Sequence, residues 1–262
     1  MATDDAQPRS HWVTVTAFAL IVSVACVFLA RWQWQRLESR EAKNAVIIEN
    51  YDQPAVAVDT LLTAGSSLPS STLWRQVEAT GRYLPADEVL VRKRSLYEST
   101  GYWVLTPLKT VAGDVFWCNR GWIRAGADAR TSSPVPPAPS GTVTVTGHLR
   151  QAEGESDDNG LPVGQVQFID TASLSERVDA PTFDGWLQVS AEDPIVASTP
   201  TRLPAPDISG GPHLGYAIQW AIFAIAAWVG WWVILRRSMD EDEDVDLDAS
   251  DALDPVPPPD GR

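Results

Sequence analysis

Residues 214–235 run for 22 positions without a formal charge, enough at roughly 1.5 Å per residue to cross about 30 Å of hydrocarbon as one helix. A second uncharged span, residues 12–30, lies near the other end and is interrupted only by the hydroxyls of Thr14, Thr16 and Ser23. Two such spans commit the ends of the chain to the membrane and leave one segment between them to fold on its own. A cleaved leader is the competing account of the first span. Its flank holds Arg9 and His11 against Asp4 and Asp5, and Arg31-Trp32-Gln33-Trp34 follows in place of a small-residue cleavage site, so an uncleaved anchor is expected. The resulting division is a terminus 1–11, a transmembrane helix 12–30, a domain 31–212, a transmembrane helix 213–235 and a tail 236–262.

The net charge of −14 is concentrated at one end. Residues 238–262 carry ten acidic residues and one basic, while 31–212 carry 22 acidic and 16 basic. A chain with this balance has no basic footprint for nucleic acid. The tail pairs its acidic run with Pro255-Val256-Pro257-Pro258-Pro259 and has too little apolar content to offset the entropy of ordering, so disorder is expected there. Basic residues give conflicting signals for orientation. Arg31, Arg36, Arg40 and Lys43 after the first span favour a cytoplasmic domain, whereas Arg236 and Arg237 after the second favour a cytoplasmic tail with the domain outside.

Helical composition continues from the first span to about Asn50. Trp32 and Trp34 at the exit suit an interfacial aromatic anchor, with a cofactor contact as the alternative. Residues 63–72 are a polar loop. From Trp74 the pattern turns to a period of two, and strands are expected at 88–95, 101–111, 114–123, 141–150 and 185–190, with a tight turn at Ala112-Gly113 and a short helix over 170–178. The spacing predicts an antiparallel β-rich domain, barrel-like or sandwich-like, with minor helices. The fold class is therefore membrane α+β, with two transmembrane helices flanking this domain.

Catalytic signatures are absent from the sequence: it has no phosphate-cradling glycine loop, no Gly-x-Ser-x-Gly and no His-Glu-x-x-His. Cys118, with His148 as a conceivable base, lies in Val115-Phe116-Trp117-Cys118, where a small side chain packing in a sheet is the ordinary role. No enzyme is expected. Cys26 and Cys118 are too differently placed for a disulfide, and His11, His148 and His213 lack metal-site spacing. In Asn119-Arg120-Gly121-Trp122, Gly121 permits a bend or a close approach, and Arg120 pairs with a carboxylate, stacks on an aromatic ring or lies on a solvated face. His213 opens His213-Leu214-Gly215-Tyr216-Ala217-Ile218-Gln219-Trp220. On a helix, Tyr216 and Trp220 fall beside it three and seven residues on, so it is either an interfacial imidazole satisfied by water or Gln219, or an axial haem ligand.

Four segments together resemble the surfeit locus protein 1 family: Trp32-Gln33-Trp34-Gln35-Arg36-Leu37; Trp74-Arg75-Gln76-Val77-Glu78-Ala79-Thr80-Gly81-Arg82-Tyr83; Gly101-Tyr102-Trp103-Val104-Leu105-Thr106-Pro107-Leu108 with Asn119-Arg120-Gly121-Trp122; and the His213 to Trp220 motif. The resemblance implies an assembly factor for haem-copper cytochrome c oxidase that assists insertion of haem a into subunit I or stabilises that subunit. It places both termini in the cytoplasm and the domain on the outer face of a bacterial plasma membrane. It further implies haem a as a transient ligand of His213, Tyr216 and Trp220, and subunit I, the haem a synthase and membrane lipid as partners. Trp34, Arg36, Gly101, Tyr102, Asn119, Arg120, Gly121 and Trp122 would then form a partner or domain-surface motif. The alternative is a membrane-anchored extracytoplasmic binding module unrelated to the oxidase. The long acidic tail and the polar loop 153–160 depart from the family pattern.

Overall fold

The computed structural model describes residues 7–127 and 132–251, which form two compact units. The first takes in residues up to 42 and from 209 onward, and the second spans 43–208.

Helix α1 (Gln7–Asn50) and helix α3 (His213–Asp251) make up most of the first unit. Between Trp12 and Asn50 there is neither glycine nor proline, so nothing breaks α1 until Pro54. Helix α3 starts after Gly210-Gly211-Pro212, and the amide of Tyr216 donates to the Pro212 carbonyl at 3.2 Å. The stretches Trp12–Asn50 and His213–Arg237 are each long and apolar enough to cross a membrane.

A seam of less exposed residues recurs on α1 at Ala19, Ser23, Cys26, Ala30, Gln33, Leu37 and Arg40, and on α3 at His213, Ala217, Trp220, Ala224, Ala227 and Trp231. The alternating steps of three and four are the period of a left-handed helix pair. Small residues at these positions let two backbones approach closely, which is how helices associate where no hydrophobic driving force separates them from lipid. Trp231 Nε1 donates to Thr16 Oγ1 at 2.9 Å across the seam. The remaining faces are apolar and open, including Phe18, Ile21, Val24 and Phe28 on α1 and Ile222, Ile225, Val229 and Trp232 on α3.

Helix α3 continues through the acidic run to Asp251, where the sequence suggested disorder. Met239, Glu241, Glu243, Leu247 and Ala249 interleave the aspartates with helix-favouring residues. Residues 252–262 of the expected disordered tail lie outside the described residues.

The second unit is built on one eight-stranded sheet of order β1-β2-β6-β8-β5-β4-β3-β7. Its strands are β1 (Val56–Ala57), β2 (Gln76–Tyr83), β3 (Val89–Leu96), β4 (Ser99–Thr110), β5 (Val115–Arg124), β6 (Val143–Arg150), β7 (Gln165–Val166) and β8 (Thr182–Asp193), with a short helix α2 (Thr171–Ser175) before β8. The expected antiparallel barrel or sandwich is corrected in two respects. The sheet is mixed, since β1 runs parallel to β2, β7 to β3 and β8 to β5. It is also a single sheet with end strands β1 and β7 and not a barrel, although three residue pairs between β2 and β4 (Gly81–Tyr83 against Leu108–Thr110) tie one corner. Parallel pairing needs a long crossover, and residues 125–181, which include β6, β7 and α2, lie between β5 and β8.

Alternation along β5 divides the core. Phe116 and Cys118 pack with Val77, Leu108, Leu149 and Leu187. Trp117 packs on the other face with Leu105, Ile169, Leu174 and Trp186. Within this unit, Asn50 Nδ2 donates to the carbonyls of Ser71 at 2.7 Å and Leu73 at 2.9 Å.

Candidate functional site

His213 is the first residue of α3, and its Nδ1 lies 2.9 Å from Gln33 Oε1 on α1. A carbonyl oxygen only accepts, so Nδ1 is the donor, and in a neutral ring this tautomer has its lone pair on Nε2. This is the arrangement in which a second atom fixes the tautomer and orientation of a ligating imidazole. Gln33, inside the Trp-Gln-Trp-Gln-Arg segment, is therefore the residue that sequence reasoning passed over. The signal for it was its place in the three-and-four spacing of the seam.

Tyr216 and Trp220 lie on one flank of α3 at the 100° step of a helix. Trp220 is half-buried and meets Phe223 edge-on with ring centroids 5.8 Å apart, while Tyr216 is 47% exposed. The opposite flank holds an apolar groove of about 450 Å³ lined by Ala30, Arg31 and Trp34 of α1 and Ala217, Ile218 and Ala221 of α3. Trp34 thus faces a groove, and its Nε1 donates to Glu38 Oε1 at 2.8 Å. Arg36 lies over the Trp32 ring at 5.6 Å.

The domain-surface role expected for Gly101, Tyr102, Asn119, Arg120, Gly121 and Trp122 is corrected by their burial. Val104 pairs with Gly121 and Leu105 with Asn119, which leaves Arg120 as the extra residue of a bulge. Such an insertion bends the strand and re-aims a side chain. Asn119 Oδ1 accepts from the Gly121 amide at 3.0 Å and closes the bulge. Gly121 has φ +137°, and a Cβ there would meet the Thr201 carbonyl oxygen at 2.5 Å. The space is needed because Trp122 and Thr201 exchange backbone hydrogen bonds of 2.7 and 2.9 Å. The Trp122 indole covers Gly101, where a Cβ would lie 2.5 Å from the ring, and its Nε1 donates to the Arg94 carbonyl at 2.8 Å.

Re-aimed by the bulge, the fully buried Arg120 enters a polar cluster. Its Nε is 3.3 Å from Glu192 Oε1 and its Nη1 is 3.6 Å from Glu88 Oε2. Nη1 and Nη2 donate to the carbonyls of Pro136 at 3.1 Å and Pro137 at 2.9 Å, which hold the proline-rich strap on the sheet. Tyr83 Oη donates to Glu192 Oε1 at 2.7 Å, and Arg202 Nη2 reaches Glu192 Oε2 at 2.6 Å.

Burial alone would raise the Glu192 carboxyl, but the hydrogen bonds from Tyr83 and Arg202 and the charges of Arg202 and Arg120 hold it below its ordinary value. Glu88 goes the other way, because burial outweighs the help from Thr106 and Arg120 and raises it. Burial, then Cys118 and Glu192, push the Tyr83 phenol well above its usual value, so it remains a donor. Local pattern left Arg120 between a carboxylate pair, an aromatic ring and a solvated face; the bulge buries it against Glu192 and Glu88, with its guanidinium 5.5 Å from the Tyr83 ring centroid. Its partners come from β2, β8 and three loops, so no short-range spacing announces them.

Cys118 is fully buried, with its Sγ 3.5 Å from the Phe116 carbonyl, and burial keeps its thiol protonated. A reactive cysteine needs the opposite setting. His148 stacks on Tyr51 with centroids 4.1 Å apart, and its Nε2 lies 3.1 Å from the Tyr51 carbonyl.

The family model described as the SURF1 family matches residues 20–225, from within α1 through the whole sheet to the first part of α3. SURF1-like proteins of Mycobacterium bovis and Mycobacterium tuberculosis are 30% identical over 227 residues, covering 85% of this chain and 82% of theirs. A SURF1-like protein of Rickettsia felis is 23% identical over 237 residues, covering 88% of this chain and 98% of its own length. The matched stretch holds the Gln33–His213 pair and the Arg120 bulge alike, and the chain belongs to the SURF1 family.

Proposed function

We propose that this protein assists assembly of haem-copper cytochrome c oxidase, acting where haem a enters subunit I, and that it does so as a binding factor and not as a catalyst. Membership of the SURF1 family, in general a family of cytochrome oxidase assembly factors, supports the assembly role. The observation that supports the haem contact is the Gln33 Oε1 to His213 Nδ1 hydrogen bond. With Nδ1 as the donor, the neutral form of this ring presents Nε2, the nitrogen that can ligate iron. Tyr216 and Trp220 on the adjoining flank offer aromatic surface to a flat ligand. In this account α1 and α3 cross a bacterial plasma membrane with both ends in the cytoplasm, the strand-rich unit sits outside, and subunit I and the haem a synthase are the partners.

Purification of the full chain from cells that co-express haem a synthesis tests the ligand role. Wild-type protein is expected to carry a Soret band that His213→Ala loses. Equal haem retention in both would contradict the ligand role and leave the assembly role standing. The rival account, a binding module unrelated to respiration, predicts unchanged oxidase content in membranes of a strain lacking the gene.

A further inference from the structure

The groove beside the His213 seam is not used by the haem contact proposed above, and its chemistry differs from that of the Tyr216 flank. Its floor is made by small residues, Ala30 on α1 and Ala217 and Ala221 on α3. A larger side chain at any of the three would fill the space. Its walls are the Trp34 indole and Ile218. The indole N–H is already donated to Glu38, so the ring offers only apolar surface to an occupant. The single charge lining the groove is Arg31, one helical turn from Trp34 on the same side of α1.

Position adds a further constraint. Ala30 is the last residue of the uncharged stretch of α1 and Arg31 the first charge after it. On α3 the groove lies within the first three turns of the other uncharged stretch. The groove therefore sits where both helices pass from apolar to polar sequence, with its guanidinium at the polar end and its alanine floor running toward the apolar faces. From Arg31 to Lys43, α1 carries four basic residues against two acidic ones, so the local field attracts anions. A guanidinium at the rim of an apolar cleft between two helices offers a cation to a phosphate and apolar surface to an acyl chain, the two features that an anionic phospholipid presents.

We infer that this groove binds an anionic phospholipid, with one acyl chain along Ala30, Ala217, Ala221 and Ile218 against the Trp34 ring, and the phosphate on Arg31. A guanidinium presents a fork of donors suited to a phosphate diester. The inference rests on the reading that α1 and α3 lie in a membrane.

The test uses the full chain in nanodiscs of phosphatidylglycerol or phosphatidylcholine, with native mass spectrometry after release from the disc. The wild type is expected to retain one phosphatidylglycerol and to retain phosphatidylcholine at least fivefold less. Ala221→Leu, which fills the groove, and Arg31→Gln, which removes the charge, are each expected to cut phosphatidylglycerol retention at least fivefold, with partial recovery in Arg31→Lys. In parallel, phosphatidylglycerol brominated on its acyl chains should quench tryptophan emission more than the brominated phosphatidylcholine, and Trp34→Phe should abolish that difference. Equal retention of the two lipids by the wild type, or unchanged retention in both groove variants, overturns the inference. Should Ala221→Leu fail to fold, Arg31→Gln and the Trp34 quenching difference decide alone. Carbonate extraction separates the two levels of the account: a chain that leaves the membrane fraction contradicts the membrane reading itself, whereas one that stays but shows no lipid preference contradicts only the groove.

Discussion

At the scale of single residues, the Gln33–His213 pair and the Arg120 cluster were unequally legible in the sequence. His213 stands out because an imidazole at the start of an apolar span needs a reason. Gln33 does not, because an uncharged polar residue between two tryptophans has many ordinary explanations. The pairing joins positions 180 residues apart. Replacing Gln33 with Leu removes the acceptor that holds the Nδ1 proton. On the proposed haem contact, haem affinity is expected to fall by about 10–100-fold, the usual effect of removing an outer partner of a metal-ligating histidine, with the Soret band displaced and Gln33→Glu restoring most of the affinity. Titration of both variants with haem checks this.

In the Arg120 cluster the two carboxylates have opposite pH signs. Glu192 is depressed, so its stabilising contribution is full above the ordinary carboxyl value and fades as pH falls through its folded value. Glu88 is raised, so its contribution is full below its ordinary value of 4.5 and is lost as pH rises through its folded value. Glu88→Gln keeps an acceptor for Thr106 without the buried charge. Its melting temperature should exceed that of the wild type at pH 7, with the gap closing as pH falls toward 4.5. Thermal unfolding across that range measures it.

At the scale of elements, the sequence places most strands to within a few residues because local alternation and turn chemistry suffice. The expected strand 114–123 is β5 (Val115–Arg124), and 101–111 is β4 (Ser99–Thr110). The turn at Ala112-Gly113 is present, with Gly113 at φ +100° and its amide donating to the Thr110 carbonyl at 3.0 Å. The expected final strand, 185–190, is longer as β8 (Thr182–Asp193), because pairing with both β5 and β6 continues beyond the apolar run. Strands β1 and β7 are two residues each and carry no period to detect. The bulge at Arg120 was partly legible: its glycine was visible, but the register shift that makes Arg120 the inserted residue depends on the partner strand. Gly121→Ala should cost about 1–3 kcal/mol for the unfavourable φ alone, and more through the Thr201 contact. Denaturant unfolding should show that loss, and the Trp122–Thr201 amides should exchange with solvent sooner than in the wild type.

At the scale of the whole molecule, a pair of long apolar helices brackets a mixed sheet whose most distinctive motif is internal. The Asn-Arg-Gly-Trp segment holds the strand-rich unit together through β2, β8 and the proline-rich strap, so its contribution to any partner surface is indirect. Of the motif residues singled out in the sequence, His213, Tyr216, Trp220, Trp34 and Arg36 have exposed or half-exposed side chains, at the start of α3 and the exit of the apolar stretch of α1. The assembly role makes a prediction that no feature of the fold alone would make. In a strain lacking this gene, reduced-minus-oxidised spectra of membranes are expected to lose most of the haem a absorbance together with oxidase activity, and both should return with the wild-type gene and not with His213→Ala. Membranes of the deletion strain with the full haem a signal and full oxidase activity would contradict the account.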